Sequence, residues 1–318
     1  MKNLPIAFIT IAFLFALIFW TKPSSNSDNS KFQVAVLIPG TVEFFAVQKK
    51  GLNEAAKQFD LNLIYADAEW EPAKQLAQVE NFIARKVDLI LLCSVDNLAL
   101  QRAVPLTKKA GIPLMTFSNT IGEDPHGLYE GVIAHIGRDE VKSGVLLGEM
   151  VDGITKDMSV KIVLVQGAPG TSAQRMREKG FMEVMQKHNN WEIIFNHFVP
   201  GWTKEGALNG VQDFLQTGKK FDVVVAQWWT GAIAAAMALK EKKTLGVKVF
   251  GLEYSRELIP YLKSGEVAMS TYFSIKEEGY KAVETAGLFL NKREIPKFVE
   301  IVPTIVNQQN VNRYEAEL

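Results

Sequence analysis

Cysteine is nearly missing from this chain: Cys93 stands alone among 318 residues, which excludes an internal disulfide and a lipid-bearing N-terminal cysteine. Runs of like charge are missing too. Thirty-five Lys and Arg offset thirty-five Asp and Glu, so nothing marks a face for nucleic acid or anionic membrane. His126, His135, His188 and His197 show no metal-ligand spacing, so neither a metal site nor a cofactor is expected. No serine sits in a nucleophile elbow, and Cys93 reads as a small cleft-wall residue rather than a nucleophile. The stretch from Gly167 to Ser172 lacks the lysine of a phosphate-binding loop and reads as a turn with a Thr or Ser helix cap. These absences favour a binding protein over an enzyme.

What is present begins with an apolar, uncharged stretch from Leu4 to Trp20, preceded by Lys2 and followed by a polar run from Lys22 to Ser30. That layout directs export, so residues 1–30 read as a signal peptide or membrane anchor with a polar spacer, and a bacterial periplasm is the expected location. From Lys31 onward, short apolar β-type runs alternate with helical periods, the pattern of parallel α/β architecture. Strands are predicted at Val34 to Ile38, Leu61 to Tyr65, Leu89 to Leu92 and Leu114 to Phe117. Helices are predicted at Ala46 to Gln58, Pro72 to Ala84 and Leu98 to Lys109, the last stopped by Gly111-Ile-Pro113. A second series has strands at Ile162 to Val165, Glu192 to Phe195, Val223 to Ala226, Val249 to Phe250 and Ala268 to Phe273. Its helical stretches include Arg175 to Lys187, Ala232 to Lys240 and Lys276 to Leu290. The expected fold is α/β, two doubly wound parallel-sheet lobes joined by a multi-crossing hinge. Residues 31–136 plus 274–303 would form one lobe, and 137–273 plus 304–318 the other.

In open parallel sheets ligands bind beyond the carboxyl ends of the strands, and here those turns are rich in aromatics. Phe44 and Phe45 follow the first strand, Trp70 the second, Trp202 lies beyond the Phe195 strand, and Trp228-Trp229 follow Ala226. Any one of these rings suits a core position as well. The adjacent Trp228 and Trp229 do not easily share one buried face, which points to a cleft. Polar residues at equivalent ends are Asp96, Ser118, Asn119, Gln227 and Glu253, with Arg177 near the start of a helix. Aromatic faces flanking a few hydrogen-bonding groups suit sugars, and they suit methylated ammonium equally.

Several stretches carry a resemblance to a known family. Val42-Glu-Phe-Phe45, Glu71-Pro-Ala-Lys-Gln75, Gly111-Ile-Pro-Leu-Met-Thr116 and above all Gly170-Thr-Ser-Ala-Gln-Arg-Met-Arg-Glu-Lys-Gly-Phe181 resemble the type I periplasmic binding proteins of the ribose-binding group. The resemblance implies a ligand cleft between lobes. It places Phe44, Phe45 and Trp202 as stacking rings and Arg177 as a ligand-binding arginine. It aligns Ser118, Asn119, Trp228, Glu253 and Phe273 with hydroxyl-binding positions whose residue types have changed. Ribose itself is thereby put in doubt, while another sugar stays compatible. A monomeric, non-catalytic receptor delivering a small polar ligand, a sugar first, to an ABC transporter permease is the implied role. Leu252-Glu-Tyr-Ser255 and Tyr261-Leu-Lys-Ser-Gly-Glu-Val267 also look like periplasmic amine-oxide sensors of the same fold, which would make the partner a sensor-kinase ectodomain. Replacing Trp228 or Arg177 by alanine is expected to abolish binding and spare the stability of the unliganded protein.

Overall fold

The computed structural model describes residues 31–156 and 158–318; the export-segment expectation for residues 1–30 lies outside them. The described residues begin with β1 (Phe32–Ile38), α1 (Glu43–Gln58), β2 (Leu61–Asp67), α2 (Pro72–Ala84), β3 (Leu89–Leu92), α3 (Ala103–Ala110), β4 (Leu114–Phe117) and β5 (His135–Gly137). It continues through α4 (Glu140–Thr155), β6 (Val160–Gln166), α5 (Ser172–Met185), β7 (Trp191–Phe198), α6 (Lys204–Gln216) and β8 (Val223–Ala226). Then come α7 (Trp229–Glu241), β9 (Lys248–Phe250), α8 (Ile259–Ser264), β10 (Met269–Tyr272), α9 (Ile275–Leu290), β11 (Phe298–Glu300) and β12 (Thr304–Asn307).

The strands form two sheets, ordered β11-β5-β4-β3-β1-β2 and β12-β10-β9-β8-β6-β7. Every pairing is parallel except β10 with β12. The central strands β3 and β8 are buried at every residue, which is why they read as unbroken apolar runs rather than alternating ones. Among the described residues the chain passes between the sheets three times: at Arg138–Asp139, at Phe273–Ser274 and at residues 301–303.

Local chemistry explains the helix ends. Pro72 opens α2 where its missing N–H costs nothing, and Gly111 closes α3 at φ 70°. Thr171 caps α5, its hydroxyl accepting from the Gln174 amide at 3.2 Å, as the cap reading required. The predicted helix from Leu98 begins instead as a 3-10 turn, Ala99–Arg102, fixed by Asp96, whose carboxylate accepts from the Leu98 and Ala99 amides at 2.9 and 2.8 Å. The short strands β5, β11 and β12 escaped the sequence reading because His135, Gly137, Glu300, Thr304 and Asn307 leave them only one or two apolar residues in a row.

Two helix pairs approach backbone to backbone. A Cβ added at Gly51 of α1 would sit 1.8 Å from the Lys276 carbonyl oxygen of α9, and one at Gly144 of α4 would sit 2.1 Å from the Arg177 carbonyl oxygen of α5. Gly279 and Gly180 answer them from the partner helices. These contacts carry Gln48 against Glu278, and Glu140 against Arg177, beneath the strand ends. Among the described residues no helix is long and apolar enough to cross a membrane.

Candidate functional site

Each sheet changes strand direction of progression once, between β1 and β3 in the first and between β6 and β8 in the second. Such switch points leave a crevice at the strand carboxyl ends. The two crevices share one cavity of about 360 Å³, bounded by the turns after β1, β2, β3 and β4 on one side and after β6, β7, β8 and β9 on the other. Of the thirteen residues singled out in the sequence, ten line it: Phe44, Phe45, Trp70, Ser118 and Asn119 from the first half, and Arg177, Trp202, Trp228, Trp229 and Glu253 from the second, while Asp96 and Gln227 lie outside the lining. Phe273 lies outside it too. It is buried one layer behind, its ring 6.4 Å from that of Phe44 and stacked under the Arg138 guanidinium at 4.0 Å.

The backbone is specialised where the cavity forms. Trp70, Ser118, Trp202 and Glu253 hold φ of 64°, 54°, 57° and 72°, a left-handed conformation that bulky side chains adopt only when their surroundings enforce it. The indoles of Trp70 and Trp202 are seated by glycine. A Cβ at Gly40 would come within 2.2 Å of the Trp70 ring, and one at Gly167 within 2.0 Å of the Trp202 ring. Trp202 meets Trp228 edge to face at 5.4 Å, and Phe44 meets Phe45 the same way at 5.3 Å.

Beneath the rings lies a buried charge network that sequence reasoning missed. Glu140 is its hub: it accepts from Arg138 Nη2 at 2.7 Å, and from Arg177 Nε and Nη2 at 2.8 and 2.9 Å. Arg177 also donates to Glu253 at 3.2 Å and to the Gln227 carbonyl. Arg138 reaches Glu278 at 3.4 Å, and Glu278 accepts from Gln48 at 3.0 Å and from Ser118 at 3.1 Å. Burial alone would raise the Glu140 carboxyl, but the two guanidinium groups together outweigh it and hold it down at about 2. For Glu253 and Glu278 burial wins, and both are pushed above the ordinary carboxylate range. Burial likewise pushes the Cys93 thiol up.

The arginine predicted to grip a ligand is therefore largely engaged by the protein, though it borders the cavity. Gln227 is engaged as well: it accepts from the Gly167 amide and donates to Gln166 and the Gln174 carbonyl, each at 3.1 Å. Asn119 donates to the Ser94 carbonyl at 2.9 Å. Beside the cavity the halves are hydrogen-bonded directly, from the Asn97 amide to the Gly170 carbonyl at 3.1 Å and from the Thr120 amide to the Ser172 hydroxyl at 2.9 Å. Among the described residues no cluster of three or more His, Cys, Asp or Glu is placed to hold a metal ion.

Comparison with known proteins places this geometry. A family model described as a periplasmic binding protein domain matches residues 34–294. The ribose import binding protein of Salmonella typhimurium is 27% identical over 252 residues, covering 79% of this chain and 82% of that one. A putative rhizopine-binding protein of Rhizobium meliloti is 27% identical over 284 residues, 86% of this chain and 89% of its own. The crystal structure of a solute-binding protein of an ABC transporter from Bacillus halodurans, with bound myo-inositol, superposes with a TM-score of 0.84 at 26% identity, covering 92% of this chain and all of that one.

Proposed function

This chain belongs to the periplasmic binding protein domain family, and from that premise we propose that it captures a small sugar or sugar-like ligand and presents it to the permease of an ABC transporter. The observation that carries the reading is the single cavity shared by the switch points of both sheets and walled by four indoles and two phenyl rings. Rings of this kind stack on the C–H faces of a sugar or cyclitol, each contact contributing about 0.5 to 1.5 kcal/mol. A ligand touching both walls stabilises whichever arrangement of the halves brings the walls together, so binding and closure are coupled. Residues 31–136 plus 274–303 serve as one lobe and 137–273 plus 304–318 as the other, the three chain passages forming the hinge. Export to the periplasm, a monomeric state and a non-catalytic role complete the reading.

The deciding experiment is thermal denaturation of the purified chain with and without pentoses, hexoses and cyclitols. A true ligand at a hundred times its Kd stabilises by about 2.7 kcal/mol, a rise of roughly 4 to 5 °C for a chain of this size. A panel in which nothing raises the melting temperature sinks the reading. Capture of a sensor-kinase ectodomain in place of a permease would replace transport with signalling and leave the cavity assignment standing.

A further inference from the structure

The parallel strands β6, β8 and β9 begin side by side, Ile162 paired with Val223 and Val223 with Lys248. The turns that feed them therefore share one surface, at the opposite strand ends from the cavity. That surface is basic. Lys156 and Lys161 stand at the start of β6, Lys219 and Lys220 before β8, and Lys242 and Lys243 before β9, all of them exposed. Among the described residues none of these six lysines enters an ion pair. Of the carboxylates beside them, Asp222 accepts from the Lys161 amide at 2.7 Å, Glu241 from Gln212 at 2.7 Å, and Asp152 lies 3.4 Å from His188. The lysines come from turns far apart in the chain, so no run of like charge marks them in the sequence.

The dipole of a helix favours a cation at its carboxyl end, which accounts for Lys156 and Lys242, the C-caps of α4 and α7. It does not account for Lys161 within β6, or for Lys219 and Lys220 beyond the C-cap of α6. Nor does it account for the apolar side chains set among the lysines. Leu245, in the turn between α7 and β9, is 91% exposed, the most of any large apolar residue among those described, and Met158, between Lys156 and Lys161, is 59% exposed. Lysines interleaved with projecting apolar side chains match the boundary between anionic headgroups and acyl chains, where the ammonium groups meet phosphates and the apolar tips leave water. A nucleic acid backbone offers the phosphates without the apolar layer.

We propose that the turns before β6, β8 and β9 form a membrane-contact surface that lies against anionic phospholipid, with Leu245 and Met158 dipping into the headgroup boundary. In that posture the strand ends that carry the cavity point away from the lipid, open to solutes. The proposal does not depend on which ligand the cavity takes.

Residues 31–318 form one compact unit and are tested without the apolar stretch from Leu4 to Trp20, so that it contributes no lipid binding of its own. Co-sedimentation is measured with vesicles of phosphatidylcholine alone and of phosphatidylcholine mixed with phosphatidylglycerol. Binding is expected to the mixed vesicles only, and to fall as salt is raised. Lys242→Gln with Lys243→Gln should weaken it by about thirtyfold, the worth of two lysines at a charged lipid surface, and Leu245→Ser by about tenfold. Lys108→Gln with Lys109→Gln, two exposed lysines of the first half, should leave it unchanged. Melting curves confirm that each variant is folded, and the lipid and salt dependence of the native chain stands without any variant. No binding to the mixed vesicles overturns the proposal, as does a loss for the Lys108 and Lys109 pair equal to that for Lys242 and Lys243. Retention on heparin without vesicle binding, or a Leu245→Ser variant that binds vesicles as the parent does, overturns it in favour of a soluble polyanion.

Discussion

Arg138 was invisible as a functional residue in the sequence, yet the network makes it a buried tie between the halves. Its guanidinium lies at the passage from β5 to α4, hydrogen-bonded to Glu140 of the second half and ion-paired with Glu278 on α9 of the first. Arg138→Met keeps a flexible apolar side chain over the Phe273 ring and deletes the charge. Two carboxylates that are nearly fully buried then lose a partner, and removing one member of a buried pair costs about 3 to 5 kcal/mol. For a chain of this length that is a fall in melting temperature of roughly 5 to 8 °C. The second arm is Arg138→Met with Glu278→Leu. Removing both members of a buried pair is close to neutral, so the double variant should recover most of the loss even though Glu140 keeps only Arg177. Differential scanning calorimetry on the four proteins of this cycle gives the coupling directly. A melting temperature for Arg138→Met within 2 °C of the parent, or a double variant no better than the single, refutes the view that these charges are mutually dependent.

Gly167→Ala drives a methyl group into the seat of Trp202, so ligand affinity should fall by about two- to tenfold, the equivalent of one lost aromatic contact. Isothermal titration would read the loss, and in a Trp202→Ala background the glycine change should then have no further effect. His135 gives the acid response: burial lowers its pKa from 6.5 to about 4, so the folded chain refuses a proton that the unfolded chain accepts. Stability is therefore full above pH 6.5 and declines as the pH falls towards 4, by about 3 kcal/mol in all, and His135→Gln should flatten that part of the melting-temperature profile. Glu140 works at lower pH. Held at about 2 when folded, it contributes stability that is present above pH 4.5 and lost as the pH drops through that range towards 2.

The strands and most helices were legible because each core strand is a short, largely apolar run and each long helix repeats its apolar face. β3, β4 and β8 begin and end where the apolar runs do. The site's aromatic wall was legible for a different reason: parallel sheets put ligands at strand ends, and the sequence has tryptophan there. The network was not, because its members belong to four helices and three turns that only the fold brings together. A trace of it existed. Glu278 sits between Ile275 and Ala282 on the buried stripe of α9, and Gln48 beside Val47 on that of α1, and a polar residue on an apolar stripe demands a buried partner. Nothing in one chain's sequence names that partner as Arg138, which lies 140 residues away from Glu278.

The expectation that Trp228 and Arg177 serve the ligand alone does not survive the packing. Trp228 is 2% exposed and belongs to the core that also holds Val163, Val224 and Ile233. Truncating such a ring to alanine costs about 3 to 5 kcal/mol through the cavity left behind, and Arg177→Ala leaves Glu140 and Glu253 without a shared counter-charge. Both substitutions therefore lower the stability of the unliganded chain, and a loss of binding in either could not be assigned to lost ligand contact. Trp202 separates the two effects. It is only partly buried, it lines the cavity, and it rests on Gly167 rather than inside a core. Its replacement by alanine should cost affinity while moving the unliganded melting temperature far less than Trp228→Ala does. A fall in melting temperature as large as that for Trp228→Ala would place the ring in the scaffold and leave the cavity without one of its walls for a guest.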